Sequence, residues 1–155
     1  MLERRINLVP TTSVGRLFDA VSSLTGLAQQ NRFEGQAAML LENEIGAVRI
    51  EEAYPLTSGD WAPLISEVLR DTREGVSVPQ IAARFHNALV GWIIEVAEQV
   101  ALKQVVLSGG VFQNRYLTEH AARALESRGF VVHTHRQVPP NDGGIALGQV
   151  VMAGR

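Results

Sequence analysis

The chain has 155 residues, of which 46% are apolar and 19% are charged, a composition typical of a globular protein with one real core. Its formal net charge of −2 and its scattered arginines argue against a large nucleic-acid-binding surface, and the lack of cysteine excludes disulfides and thiolate metal sites. Because the N-terminus lacks the apolar core of a signal peptide and no apolar run reaches the ~20 residues that span a bilayer, we expect one cytoplasmic domain over residues 1–155 that contacts neither membrane nor nucleic acid.

The first half of the chain is expected to be mainly helical. Its predicted elements, in chain order, are an extended segment over 1–11, a helix capped by Thr12 or Ser13 and ended by Gly26, a helix over 34–42, a strand over 47–51 and a helix from Asp60 to Arg73. Arg16 and Asp19 lie three residues apart on the polar side of the first helix. Sequence pattern favours a surface ion pair of small energetic value over a role for Asp19 in facing a ligand.

The longest predicted helix forms the spine of the expected fold. Ser77 and Gln80 have the spacing of a capping box, and the helix runs from there to about Val100 with a wide apolar stripe. His86 lies one residue off that stripe. We therefore expect it to be a partly buried structural histidine rather than a base or a metal ligand.

The last fifty residues carry the strongest pattern in the sequence. The expected order is a strand at 105–107, a Ser108-Gly109-Gly110 loop, a helix from about Asn114 to Arg128 and Gly129, a strand at 130–134, a loop at 139–144 that contains Asp142, and a helix at 145–152. Strands that alternate with helices predict parallel neighbours, whose following loops emerge at the same edge of the sheet. His133 and His135 alternate at a strand end, but no further metal ligands stand in an obvious spacing.

The two glycine loops together predict a nucleotide site. Glycines such as Gly109 and Gly110 let a ligand approach the backbone, and the N–H groups that begin the next helix favour anionic or polar ligands. Asn114 offers an amide that can read a ribose or a base, and Asp142 offers a carboxylate suited to a divalent metal.

Four motifs, in this order, resemble the C-terminal end of the HypF carbamoyltransferase family of [NiFe]-hydrogenase maturation. They are TSVGRLFDA at 12–20, FEGQAA at 33–38, SGGVFQN at 108–114 and NDGGIALGQ at 141–149. More distant relatives are the TsaD family, which makes threonylcarbamoyladenosine in tRNA, and the antibiotic O-carbamoyltransferases. The resemblance implies an α/β fold: an actin-like, ribonuclease-H-like ATPase lobe with a short, mostly parallel sheet and several helices.

The resemblance also implies a chemistry and a site. HypF proteins convert carbamoyl phosphate and ATP to carbamoyl adenylate and pass the carbamoyl group to the C-terminal cysteine of HypE, where it becomes the cyanide ligand of the hydrogenase iron. The positions of Asp19 and Gly35 are implied to contact the ribose, which reverses the surface-pair interpretation of Asp19. Gly109, Gly110 and Asn114 are implied to line the nucleotide, and Asp142 to bind a divalent metal (Mg, Fe or Zn) that holds the phosphates. No catalytic residue is assigned.

Two departures limit what this chain is expected to do alone. Met39 stands where TsaD relatives have a glutamate that holds the ribose. No pair of histidines has the four-residue step of the family's other metal ligands, which lie in the preceding lobe. We therefore expect half a nucleotide site, inactive without the preceding lobe and domains of a larger protein. The alternatives are a non-catalytic interaction module, including a homodimer, and a TsaD-like tRNA-modifying lobe.

Overall fold

The computed structural model describes residue 11 and residues 13–154, so residues 1–10 of the predicted extended N-terminal segment, and Thr12, lie outside the described residues. The elements within that part of the chain are α1 (Val14–Leu24), α2 (Gln36–Ile45), α3 (Ala62–Glu74), α4 (Val78–Val100), β1 (Gln104–Leu107), a 3-10 turn (Gly110–Gln113), α5 (Arg115–Ser127), β2 (Val131–Thr134), a second 3-10 turn (Asp142–Gly144) and α6 (Ile145–Ala153). No described helix is both long and apolar enough to cross a membrane.

The predicted spine helix is confirmed as α4, which packs against α2, α3 and α5. Its buried stripe joins the main core, whose largest fully buried apolar side chains are Phe18, Leu41, Leu64, Ile81, Phe85, Leu89 and Leu117. The rings of Phe18 and Phe85 meet edge to face, with centroids 4.9 Å apart. This geometry is the favourable one for an aromatic pair and fixes α1 against the spine.

Within the part of the chain that the structure describes, the sheet has two parallel strands, as the alternation of strand and helix predicts. Gln104 lies beside Val131 and Leu107 lies beside Thr134. One face packs against α5 in a second apolar cluster, whose buried members are Ala97, Leu107, Ala121 and Leu125. On the opposite face Val106 is 66% exposed and Val131 is 53% exposed. Parallel sheets are normally covered on both faces, whereas the described residues cover one face of this sheet and leave the other bare.

The predicted strand over 47–51 is wrong. These residues follow a turn after α2 and form no strand. The side-chain amide of Asn87 in α4 donates to the carbonyl oxygens of Ile50 and Glu52, at 3.0 Å in each case. A side chain of the spine therefore takes the place of a neighbouring strand, because it satisfies backbone acceptors that a ladder would otherwise use.

Some of the expected helix caps differ in detail. The Ser77 hydroxyl donates to the Gln80 side chain at 2.8 Å instead of capping the backbone of α4, and Ser13 makes no side-chain cap hydrogen bond to α1. Asp60 accepts from the N–H of Ala62 at 3.0 Å, but the N-cap of α3 is Trp61, one residue after the expected Asp60. Gly129, with φ +81°, closes α5 as predicted.

A buried polar group ties the segment between α2 and α3 to the helices. The hydroxyl of Tyr54 and the guanidinium of Arg84 both donate to Oδ2 of Asp71, at 2.8 and 2.6 Å. Burial alone would raise the pKa of Asp71, but these hydrogen bonds and the charges of Arg84 and Arg70 outweigh it and lower that pKa. Burial, together with the hydrogen bond to Asp71, raises the pKa of Tyr54. Asp71 and Arg84 form a largely buried ion pair, so removing one partner would leave the other charge unpaired and destabilise the fold.

Candidate functional site

The two glycine loops meet at the C-terminal edge of the sheet, as predicted. The N–H of Gly109 donates to the carbonyl oxygen of Pro140 at 2.9 Å. A Cβ placed on Gly110 would lie 3.9 Å from the Cβ of Asn141. A direct backbone hydrogen bond therefore joins the loop after β1 to the loop after β2, and a ligand held by one loop is next to the other.

Gly109 needs to be glycine for its backbone conformation rather than for lack of space. Its φ is +105° and its ψ is 159°, a region that side-chain-bearing residues rarely adopt. A Cβ there would have no atom within 4 Å. The loop thus turns sharply while leaving open space in front of its backbone, which is the property that a nucleotide-binding loop requires.

The first turn of α5 is less free than the sequence predicts. Asn114 is the N-cap, and its Oδ1 accepts from the N–H of Leu117 at 2.8 Å. The carboxylate of Glu42, reaching across from α2, accepts from the N–H of Tyr116 at 2.9 Å. The expectation that these N–H groups await an anionic ligand is therefore wrong for both of them, because an amide and a carboxylate of the protein already use them.

Asn114 connects the glycine loop to the core. It is 7% exposed, and its Nδ2 lies 2.9 Å from Nε2 of His86 in α4. The ring of His86 lies edge-on to Phe18, with centroids 5.3 Å apart. His86 is completely buried, not partly buried as expected. Phe18 immediately precedes Asp19, so one run of contacts links the helix that carries Asp19 with the loop that carries Gly109.

The structure confirms that Arg16 and Asp19 form an ion pair, with Nη1 and Oδ2 2.8 Å apart. The other carboxylate oxygen accepts from Nδ2 of Asn31 at 3.0 Å, and the side chain of Asp19 is 23% exposed. Gly35, the N-cap of α2, has φ +78°, and a Cβ placed on it would meet no atom within 4 Å, so its backbone is approachable. The Ser22 hydroxyl donates to the carbonyl of Ala37 at 2.8 Å and holds these two helices together.

Asp142 begins the second 3-10 turn and is exposed. The turn is held by Asn141, whose Oδ1 accepts from the N–H of Gly143 at 3.1 Å. A Cβ on Gly144 would lie 3.0 Å from the carbonyl oxygen of Pro139, so another residue there would require the neighbouring chain to shift. The second loop is therefore held in one conformation, in which the Asp142 carboxylate is accessible.

The described residues do not assemble a metal site by themselves. They contain no cluster of three or more His, Asp or Glu side chains placed to hold an ion. His135 lies 2.9 Å from the Ser108 hydroxyl, through Nε2, which ties the end of β2 to the first glycine loop. Within the described residues Asp142 therefore does not belong to a group of three such side chains.

Sequence reasoning missed three contributors to this edge: Glu42, the fully buried state of His86 and the link between Ser108 and His135. Glu42 and Tyr116 are separated by 74 positions, and no local sequence pattern predicts a contact between residues so far apart. The place of His86 just beside an apolar stripe is the one signal that favours burial.

Comparison with known proteins decides the family. Residues 1–149 match the HypF_C_2 family model, described as "Carbamoyltransferase, Kae1-like Domain, second subdomain". The chain belongs to the HypF carbamoyltransferase family. It is similar to carbamoyltransferase HypF of Synechocystis sp., with 43% identity over an alignment of 149 positions that covers 91% of this chain and 19% of that protein. It is 38% identical to HypF of Rhizobium leguminosarum bv. viciae over 92% of this chain and 20% of that protein.

A solved structure agrees with this assignment. The fold matches a full-length HypF in its phosphate- and nucleotide-bound form with a TM-score of 0.87 and 37% identity, over 98% of this chain and 26% of that one. The expected α/β class with a short parallel sheet and several helices is confirmed. The chain spans about a fifth of the length of the curated HypF relatives named above, so the activity of a whole HypF rests on much more polypeptide than this.

Apolar surface is exposed on the sheet and on the last helix. The exposed residues, each between 51% and 69%, are Val106, Val131, Ile145, Leu147, Val150, Val151 and Met152. Those of α6 lie in a helix with no buried residue. An exposed apolar face of this kind marks a contact surface, because monomeric proteins rarely leave large apolar patches in water.

Proposed function

We propose that this chain is the nucleotide-binding subdomain of a HypF carbamoyltransferase. In the complete protein it would help to convert carbamoyl phosphate and ATP to carbamoyl adenylate and to pass the carbamoyl group to the C-terminal cysteine of HypE, for the cyanide ligand of [NiFe] hydrogenase. The family match and the likeness to a HypF that was solved with phosphate and nucleotide support this proposal.

The observation that carries it is the hydrogen bond between Gly109 N–H and the Pro140 carbonyl. It joins the two family motifs at one sheet edge, where parallel α/β folds bind their ligands. Gly109 and Gly110 would let the nucleotide lie against the backbone, and Asn114 would offer a side-chain N–H. Asp19 and Gly35 would contact the ribose.

The proposed site is incomplete in this chain. Asp142 would supply one ligand to a divalent metal that neutralises phosphate charge when bound, and the remaining ligands would come from the preceding lobe. The bare sheet face and α6 supply an apolar surface on which such a lobe could pack. We accordingly propose that the chain is inactive without that lobe.

A thermal-shift titration with ATP and Mg²⁺ tests the proposal, run on this chain alone and on the chain together with the preceding lobe. A ligand that binds only the folded state raises the unfolding temperature. We expect a rise with the two lobes together, and a smaller one with this chain if its half-site is preformed. The absence of any shift for the two lobes at millimolar ATP would refute the proposed function.

The second candidate function is an interaction module without nucleotide binding. The exposed residues of α6 favour it, since the same surface could join two copies of the chain. Analytical ultracentrifugation distinguishes the two functions: dimerisation that depends on concentration, together with no nucleotide shift, would support the module. The TsaD-like alternative is less well supported, because the family match is to HypF.

A further inference from the structure

We infer that His86 is a positioning residue of the proposed nucleotide site, which fixes the side-chain amide of Asn114 in one orientation toward the ligand. The inference rests on the proposed function and adds a residue that lies in the core and touches no ligand. It follows from the hydrogen bonds at the two ends of the imidazole ring.

The proton on His86 is placed by the helix. Nδ1 lies 2.7 Å from the carbonyl oxygen of Ala82, one turn earlier in α4. A carbonyl oxygen only accepts, so Nδ1 must carry the proton and donate it. In the neutral ring Nε2 is then an acceptor, and it faces Nδ2 of Asn114 at 2.9 Å.

That acceptor decides which way the amide of Asn114 points. With Nδ2 donating to His86, Oδ1 is directed at the N–H of Leu117 and caps α5. Rotating the amide by half a turn would set its oxygen against the Nε2 lone pair and its NH₂ against the N–H of Leu117. Both new contacts are repulsive, so His86 and α5 together allow one orientation.

The fixed amide leaves one donor available. Nδ2 carries two N–H groups, and within the described residues its hydrogen-bond partner is His86 alone. The backbone N–H of Asn114 donates to the carbonyl of Val111 at 3.1 Å, which anchors the same residue to the glycine loop. A nucleotide in front of Gly109 would therefore meet an N–H donor whose direction is set from the core, so that little side-chain entropy is lost on binding.

The surroundings keep the ring in this state. The rings of Phe18, Phe85 and Tyr116 lie edge-on around it at centroid distances of 5.3 to 5.5 Å. The charge of His120, which is stacked on Tyr116, also lowers the pKa of His86. Burial lowers the pKa of His86 to about 4, so the neutral form with Nε2 as acceptor is the form present at neutral pH.

The test uses a full-length HypF protein in which this sequence forms the second subdomain. AMP affinity is measured by calorimetry, and stability by urea unfolding, for the wild type, His86→Phe and His86→Gln. Phenylalanine fills the site without an acceptor, whereas the glutamine oxygen can accept near the position of Nε2. Leu64→Ala, a core truncation in α3, controls for loss of stability alone; should His86→Phe not fold, His86→Leu makes the same comparison.

We expect His86→Phe to weaken AMP binding by roughly tenfold, the effect of about one hydrogen bond lost from the bound state, and His86→Gln to restore most of it. Leu64→Ala should lower stability and leave the affinity unchanged. Wild-type affinity in a folded His86→Phe protein, or a Gln variant as weak as Phe, would overturn the inference while leaving the proposed function intact. A wild-type protein that binds no AMP would overturn both.

Discussion

Glu42 and Tyr116 join two helices that are far apart in the sequence: the Glu42 carboxylate in α2 accepts the backbone N–H of Tyr116 in the first turn of α5 at 2.9 Å. The contact places a negative charge at the positive end of α5. It also satisfies one of the N–H groups that a helix leaves unpaired at its start. Glu42 thus acts as a cap supplied from another element, beside the cap that Asn114 supplies from the chain itself.

The loss of this cap has a measurable cost. Glu42→Ala should lower the free energy of unfolding by about 1–2 kcal/mol, because it removes a charged hydrogen bond at a helix N-terminus. Glu42→Gln keeps an acceptor and should lose about half as much. Urea unfolding followed by circular dichroism measures both. Glu44→Ala on the same helix is the control for side-chain truncation, and an equal loss in that variant would show that Glu42 has no special role.

The buried group around Asp71 predicts a large difference between two arginine substitutions. Arg84→Met removes the charged hydrogen bond to the buried Asp71 carboxylate, leaving the Tyr54 hydroxyl and the more distant Arg70, and should destabilise the protein by about 3 kcal/mol. Arg70→Met should lower the free energy of unfolding by less than about 1 kcal/mol. The Arg70 guanidinium is 3.7 Å from the other Asp71 carboxylate oxygen and more than half exposed. Chemical unfolding of both variants checks this. Similar losses would mean that the Arg84 contact is not a buried pair in energetic terms.

His86 predicts a specific pH dependence of stability. Burial lowers the pKa of His86 from its ordinary 6.5 to about 4 in the folded protein. Above pH 6.5 the ring is neutral in both the folded and the unfolded state, so its protonation does not change the free energy of unfolding there. As the pH falls below 6.5, His86 becomes protonated in the unfolded chain but stays neutral in the folded protein. The free energy of unfolding therefore decreases until the pH reaches the pKa of the folded protein. The total loss is about 3 kcal/mol, since one pKa unit corresponds to about 1.4 kcal/mol.

The measurement is urea unfolding of the wild type and His86→Gln from pH 7 to pH 4. Carboxylates titrate in both proteins, so the difference between the two curves isolates the histidine. The wild type should lose more stability than the variant over this range. Parallel curves would show that His86 is not protonated on unfolding, contrary to its buried, neutral state in the structure.

Gly144 and Gly148 provide a matched pair next to Asp142. Gly144→Ala would push a Cβ to within 3.0 Å of the Pro139 carbonyl and the Val138 side chain, and should distort the turn that presents Asp142. Gly148→Ala meets no atom within 4 Å and should stabilise α6 by about 0.5 kcal/mol. In the full-length protein we expect Gly144→Ala to weaken binding of Mg²⁺-ATP, because the distorted turn carries Asp142. Wild-type affinity in a folded Gly144→Ala protein would separate the turn from the site.

Local pattern predicted most of the helices and the whole arrangement of the last fifty residues. The stripe of α4 is periodic over 23 residues, and the glycines of the two loops stand after apolar strand segments, so short-range rules suffice. The alternation at 47–51 predicted a strand wrongly. A period of two indicates an extended chain with one buried side, and it does not show that the chain pairs with a neighbouring strand. Nothing local distinguishes a strand from a segment whose carbonyls are held by Asn87.

The sequence predicted which residues lie at the candidate site, but not which other residues contact them. Gly109, Gly110 and the Asp142 loop were expected at one edge and lie there, joined by a hydrogen bond. The partners of Asn114 could not be foreseen, because His86 is 28 positions away and reaches it only once α4 and α5 have packed. The roles of Asp19, Gly35 and Asn114 toward a nucleotide stay predictions.

The affinity of the full-length protein for AMP, measured by calorimetry for the wild type and Asp19→Ala, tests the central claim most directly. Asp19 lies on α1, away from both glycine loops in the sequence, so a direct contact of Asp19 with AMP requires a site shared by α1 and the loops. Glu126→Ala, an exposed carboxylate near the far end of α5, is the control. We predict at least roughly tenfold weaker binding for Asp19→Ala, as for the loss of a hydrogen bond to a charged group, and no change for Glu126→Ala. Unchanged affinity in a folded Asp19→Ala protein would contradict the proposed nucleotide site.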